Sequence, residues 1–89
     1  GTYGVTQGPR LETASEIQRL ANDGCNIVGM TGMPEAALAK EKDMPYATIS
    51  VIVNPAAGLT NEELVLSDML SVLSEGGKTC INILKAIED

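Results

Sequence analysis

Short β-rich apolar runs alternate along this chain with stretches whose apolar residues recur at helical spacing. Residues 1–6, rich in Thr, Tyr and Val, predict a first strand, and Gln7-Gly8-Pro9-Arg10 a turn. Thr13-Ala14-Ser15-Glu16 matches the capping box, a hydroxyl followed three positions later by glutamate. A helix follows from it, with Ala14, Ile17, Leu20 and Ala21 on one face, and Asp23-Gly24 ends it. Residues 26–30 predict a second strand centred on Ile27 and Val28. Residues 34–42 predict a second helix, with Pro34 in its first turn and Asp43-Met44-Pro45 as its stop. Residues 46–53, YATISVIV, give the strongest strand pattern: nearly unbroken, apolar and β-branched, as when helices cover both faces of a sheet. After the loop Asn54-Pro55-Ala56-Ala57-Gly58, Thr60-Asn61-Glu62-Glu63 forms a second capping-box pattern. Leu66, Leu70, Leu73, Ile81, Leu84 and Ile87 then outline a long amphipathic helix to the carboxyl end. Gly76-Gly77 softens its middle by about 1 kcal/mol per glycine relative to alanine. One helix with a soft point is the reading, and two helices the alternative.

Three strands alternating with three helices predict a single α/β layered domain over residues 1–89. The opening at Gly1, without methionine and directly into strand-like sequence, predicts a fragment of a longer protein or one polypeptide of a nicked one. The net charge is −6, and the six basic residues are dispersed, so no phosphate backbone is expected as a partner. No apolar run approaches the ~20 residues of a membrane span, and no membrane partner is expected. Two isolated cysteines, Cys25 and Cys80, and no histidine predict no metal site and a reducing, cytoplasmic setting. The only aromatics are two tyrosines, so the core must be aliphatic.

In a doubly wound arrangement the loops after the three strands gather at one edge, where such folds bind ligands. Those loops carry Glu12, Met30 with Thr31, and Asn54. A carboxylate, an apolar surface, a hydroxyl and an amide suit a small heterocycle with a sugar. Each residue also has a plain structural reading. Glu12 can serve the helix dipole, Met30 can pack inward, Thr31 can cap the second helix, and Asn54 can close a turn before Pro55. Arg10 is either a phosphate ligand or a solvated loop charge. Without histidine, a Ser–His nucleophilic pair is excluded within this chain.

GPRLETASE (Gly8 to Glu16), VGMTGMPEAALAKE (Val28 to Glu41) and ISVIVN (Ile49 to Asn54) occur in an order that resembles the purine nucleoside phosphorylase family. Within it, the chain is most similar to the branch of methylthioadenosine and methylthioinosine phosphorylases. The most specific block is Met30-Thr31-Gly32-Met33-Pro34-Glu35, and the likeness runs from Tyr3 to the final helix. It implies the carboxyl-terminal part of a three-layer phosphorylase fold. The implied reaction is phosphorolysis of 5′-methylthioinosine or a related 6-oxopurine nucleoside, giving free purine and a pentose 1-phosphate. No cofactor is implied, inorganic phosphate being the co-substrate. By motif position, Met30 packs against the ribose, Thr31 contributes to the phosphate site, and Glu12 and Asn54 read the purine. Asn54 is the catalytic candidate, because its carbonyl accepts from N7–H as the leaving purine gains that proton. Its amide donates to O6, and Glu12 accepts from N1–H. Adenine lacks that proton, which leaves Glu12 unpaired at a cost of about 1–3 kcal/mol. Adenine-selective relatives carry Asp at the Asn54 position and a second Asp two residues on, where this chain has Ala56. Leu66 falls where nucleoside phosphorylases keep a histidine for the 5′-hydroxyl, and an apolar residue there suits a methylthio group. Leu11 replaces an aromatic residue common beside the purine. The resemblance also implies a homotrimer and further phosphate-site residues in an amino-terminal part. Inosine/guanosine or methylthioadenosine phosphorolysis remains an alternative activity, and a non-catalytic assembly piece the alternative of another class.

Overall fold

A computed structural model describes residues 1–87. The elements, in order, are β1 (Tyr3–Val5), α1 (Ala14–Asn22), β2 (Ile27–Gly29), α2 (Glu35–Glu41) and α3 (Leu66–Ile87). The architecture is mixed α/β with a long final helix. The chain falls into two compact units. The first holds Gly1–Thr48 with Ala56–Asn61, and the second holds Ile49–Pro55 with the chain from Glu62 onward.

In the first unit β1 and β2 pair in parallel, with Tyr3 opposite Ile27, Gly4 opposite Val28 and Val5 opposite Gly29. The ladder continues past both ends: Asn26 N–H donates to the Thr2 carbonyl at 2.8 Å and Thr6 N–H to the Gly29 carbonyl at 2.8 Å. A parallel pair needs a crossover, and α1 supplies it. Its start is the expected capping box. Glu16 N–H donates to Thr13 Oγ1 at 3.2 Å, and Thr13 N–H donates back to Glu16 Oε1 at 2.9 Å. Its end is a Schellman motif: Cys25 N–H reaches the Leu20 carbonyl and Gly24 N–H the Ala21 carbonyl, both at 3.0 Å. Gly24 takes the left-handed conformation that this closure requires, with φ +94°. Ile17 of α1 is buried, and the strand meets the helix at Gly4, where a Cβ would stand 3.5 Å from Leu20 Cδ2.

Helix α2 begins one residue later than expected, and Pro34 occupies its N-cap without a side-chain capping bond. Its end repeats the Schellman pattern, Met44 N–H donating to the Ala39 carbonyl at 2.9 Å and Asp43 N–H to the Lys40 carbonyl at 3.2 Å. Here the left-handed residue is Asp43, φ 54°, a side-chain type that tolerates that region.

The second unit departs from expectation in two ways. Residues 46–53, which straddle the boundary of the two units, form no strand. The residue pattern is right for a strand, yet a strand is completed by hydrogen bonds to a neighbour, and only β1 and β2 form a sheet among the described residues. Nor does the Thr60–Glu63 pattern start a helix. The last helix begins at Leu66, with Asp68 and Met69 N–H groups donating to the Val65 carbonyl at 3.1 Å. It then runs unbroken through Gly76-Gly77 to Ile87, one helix and not two. Gly76 has a packing reason: a Cβ there would collide with the Val51 side chain, whereas Gly77 faces open space. None of the described side chains of α3 is buried, although Leu66, Leu70, Leu73, Ile81, Leu84 and Ile87 lie along it.

Candidate functional site

The carboxyl ends of β1 and β2 bring the candidate residues of the first unit together. Thr6 follows β1 directly, and Met30 and Thr31 follow β2. Glu12 returns to this rim because Thr6 Oγ1 donates to its Oε2 at 2.9 Å. Glu12 precedes the N-cap of α1, whose first turn is already served by Thr13 and Glu16. Its carboxylate is therefore not spent on the helix terminus. The side chain is half-buried, and its second oxygen, Oε1, carries no hydrogen bond to another described residue.

Met30 folds over Gly8, where even a Cβ would stand 2.6 Å from its sulfur. Gly8 also holds φ +66°, a conformation that strains any other side chain there. The thioether is thereby held half-buried beside the Glu12 loop. Thr31 does not cap α2. It stays exposed, its Oγ1 lies 3.2 Å from the Tyr3 hydroxyl, and its N–H donates to that oxygen at 3.4 Å. Tyr3 crosses from β1 over Gly29, whose missing side chain gives the phenol its place. Leu11 is exposed, 68% of its surface open, and offers an apolar face at the same loop.

Arg10, though largely exposed, is paired with Glu16 of α1. Its guanidinium holds Glu16 through two bonds, 2.8 Å to Oε1 and 3.2 Å to Oε2, and donates to the Leu11 carbonyl at 3.2 Å. The bond from Arg10, and then those from the Thr13 backbone and hydroxyl, lower the Glu16 carboxyl to about 2. The same pair raises the Arg10 guanidinium above its ordinary value, first through the hydrogen bond to Glu16 and then through its charge. Both side chains are partly open to solvent, so the pair matters more for loop geometry than for stability.

Asn54 and Leu66 belong to the second unit. The half-buried Asn54 uses one amide proton within its own loop, Nδ2 donating to the Pro55 carbonyl at 2.8 Å. Its second amide proton and its carbonyl oxygen are left over from that bond. Leu66 opens α3 and is exposed over 66% of its surface.

Two supporting residues escaped the sequence reading, Thr6 and Tyr3. Both had been assigned only as strand-formers. The signal that could have found them is register: parallel pairing sets Tyr3 and Thr6 beside the residues that leave β2.

The post-strand loops of this βαβ unit thus carry a held carboxylate, a thioether and a hydroxyl at the edge where α/β folds usually place ligands. The Phosphorylase superfamily model matches residues 1–88, and the chain belongs to that superfamily. It is 54% identical over 76 residues to a probable S-methyl-5′-thioinosine phosphorylase of Pseudomonas syringae pv. tomato, covering 85% of this chain and 31% of that protein. A 6-oxopurine nucleoside phosphorylase of Pyrococcus furiosus is 40% identical over 86 residues, covering 97% of this chain and 32% of its own length. A probable S-methyl-5′-thioinosine phosphorylase of Methanosarcina acetivorans is 40% identical over 89 residues, covering all of this chain and 33% of its own length. The chain thus spans about a third of the curated relatives it matches.

Proposed function

We propose that this chain serves the phosphorolysis of 5′-methylthioinosine or a closely related 6-oxopurine nucleoside, as the carboxyl-terminal part of a larger enzyme. The single observation that carries the reading is Glu12, held at the strand-end rim by Thr6 with one carboxylate oxygen left to accept. An acceptor there fits the N1–H of a 6-oxopurine and gains nothing from adenine, which has no proton on N1. Names of the relatives, methylthioinosine and 6-oxopurine nucleoside phosphorylases, support the same substrate class.

In this reading Asn54 donates its remaining amide proton to O6 and accepts from N7–H with its carbonyl as the bond to the sugar breaks. N7 takes that proton from solvent, so the purine that receives the electron pair of the broken bond leaves neutral instead of anionic. Met30 covers the ribose, Leu11 lies beside the base, Leu66 meets the 5′-methylthio group, and Thr31 contributes to holding inorganic phosphate. Phosphate approaches the anomeric carbon from the opposite side, and the transition state has oxocarbenium character. Catalysis is by positioning and electrostatics, with no covalent intermediate and no cofactor.

Further phosphate ligands and a cover for the exposed apolar surface come, in this reading, from an amino-terminal part, within a cytoplasmic homotrimer. No described helix is long and apolar enough to cross a membrane. The isolated 89 residues are expected to be inactive. The test is release of free purine by the intact natural protein from methylthioinosine and from inosine, with and without phosphate. Phosphate-dependent release with a pentose 1-phosphate as second product, faster with methylthioinosine, is expected. Equal release without phosphate would contradict phosphorolysis, and preference for inosine would contradict the role of Leu66.

A further inference from the structure

We infer that Thr6 is a positioning residue: its hydroxyl sets the direction of the Glu12 carboxylate and so the selectivity between 6-oxo- and 6-aminopurines. The inference rests on the reading of Glu12 given above. Thr6 sits at the one point where three parts of the rim meet. Its N–H fixes it to the Gly29 carbonyl at 2.8 Å, and its Oγ1 lies 2.9 Å from Glu12 Oε2 and 3.4 Å from that same carbonyl. A hydroxyl has one proton to give. The carboxylate is both the nearer acceptor and the charged one, so it takes the proton, and the carbonyl is a fallback.

The consequence for Glu12 is geometric. A glutamate has three side-chain torsions, and a loop glutamate free to use them presents its oxygens in many directions. Binding Oε2 to a hydroxyl anchored on the β1–β2 ladder removes most of that freedom and turns Oε1 away from Thr6. The Arg10–Glu16 pair and the Arg10 bond to the Leu11 carbonyl fix the loop's other side. Selectivity that depends on one hydrogen bond depends on where the acceptor is held. Thr6 therefore contributes to discrimination without meeting the purine itself.

The experiment compares Thr6→Val, which keeps shape and removes the hydroxyl, with Thr6→Ser, which keeps the hydroxyl. Each is made in the intact natural protein, alone and combined with Glu12→Gln. The readouts are the ratio of kcat/KM for methylthioinosine over methylthioadenosine, the KM for phosphate, and the Tm. Thr6→Val is expected to lower the ratio about tenfold with the phosphate KM unchanged, as loss of one oriented hydrogen bond should. Thr6→Ser is expected to retain the ratio, and Thr6→Val is expected to add little once Glu12 is already Gln. An unchanged ratio in an active Thr6→Val variant overturns the inference and leaves the function standing. An equal loss in the Glu12→Gln background also overturns it, because Thr6 would then act by another route. Absence of phosphorolysis in the unaltered protein removes the function, and the inference with it.

Discussion

The β1–α1–β2 segment and the more apolar α3 helix are satisfied in different ways. In the first, the backbone is satisfied: a capping box starts the helix, a Schellman motif ends it, and a ladder pairing Tyr3 with Ile27 extends past both strand ends. In the second, a helix of 22 residues has no buried side chain, and Tyr46, Ile49 and Ile52 of the preceding run are exposed. Backbone hydrogen bonds, local at the helix ends and long-range in the ladder, satisfy the first region. The second has the right pattern for burial, yet its described apolar side chains stay at least partly exposed.

The largest effect expected to sharpen this contrast is functional. Glu12→Gln in the intact protein keeps the size of the side chain and replaces an acceptor oxygen by a donor. It should lower kcat/KM for a 6-oxopurine nucleoside by about 10- to 100-fold, measured by initial rates of purine release. A loss confined to stability, with kcat/KM retained, would return Glu12 to a purely structural role.

Next comes the pair of helix glycines. Gly77→Ala should raise stability by up to about 1 kcal/mol, since helix propensity improves and no atom stands in the way. Gly76→Ala should fail to do so, or lower the Tm, because its Cβ meets Val51. Equal gains at both positions would mean that the 49–55 segment does not rest on the helix.

A comparable but purely local effect is expected at Thr13. Thr13→Ala removes the cap of α1 and should cost about 1 kcal/mol, read by denaturant unfolding. The associated pH dependence has a definite sign. Glu16 is lowered from 4.5 to about 2 by its bond to Arg10 and those to Thr13. Its folded form therefore binds protons less readily than the unfolded chain, and the contribution is present above about pH 4.5. It is lost as pH falls toward 2, and Arg10→Ala should flatten that acid limb of the stability curve. The smallest effect is at the end of α2, where Asp43→Gly relieves a left-handed φ of 54° and should raise the Tm slightly.

What could be read in advance follows the same division. Thr13 with Glu16, Gly24, and the apolar runs at Ile27 and Ile17 act over short separations, and their outcome was visible in the residue order. The run at 46–53 was read correctly as apolar and β-branched, but a strand exists only with a neighbour, and no residue in the run specifies one. By propensity, which is local, Gly76-Gly77 reads as a weakness, whereas the approach of Val51 is tertiary. The site divides likewise. Glu12, Met30 and Thr31 stand out by loop position alone, and the structure gathers them around the β1–β2 rim. Thr6 and Tyr3 were missed because their work depends on strand register and not on residue type. Asn54 shows a bond within its own loop that composition alone would not reveal.

The proposed preference is for an oxygen, not an amino group, at position 6 of the purine. Its most direct test is the ratio of kcat/KM for methylthioinosine over methylthioadenosine, measured with inorganic phosphate in the intact natural protein. A ratio of about ten or more is predicted from one mispaired buried group. A ratio near one, or a preference for methylthioadenosine, would contradict the account.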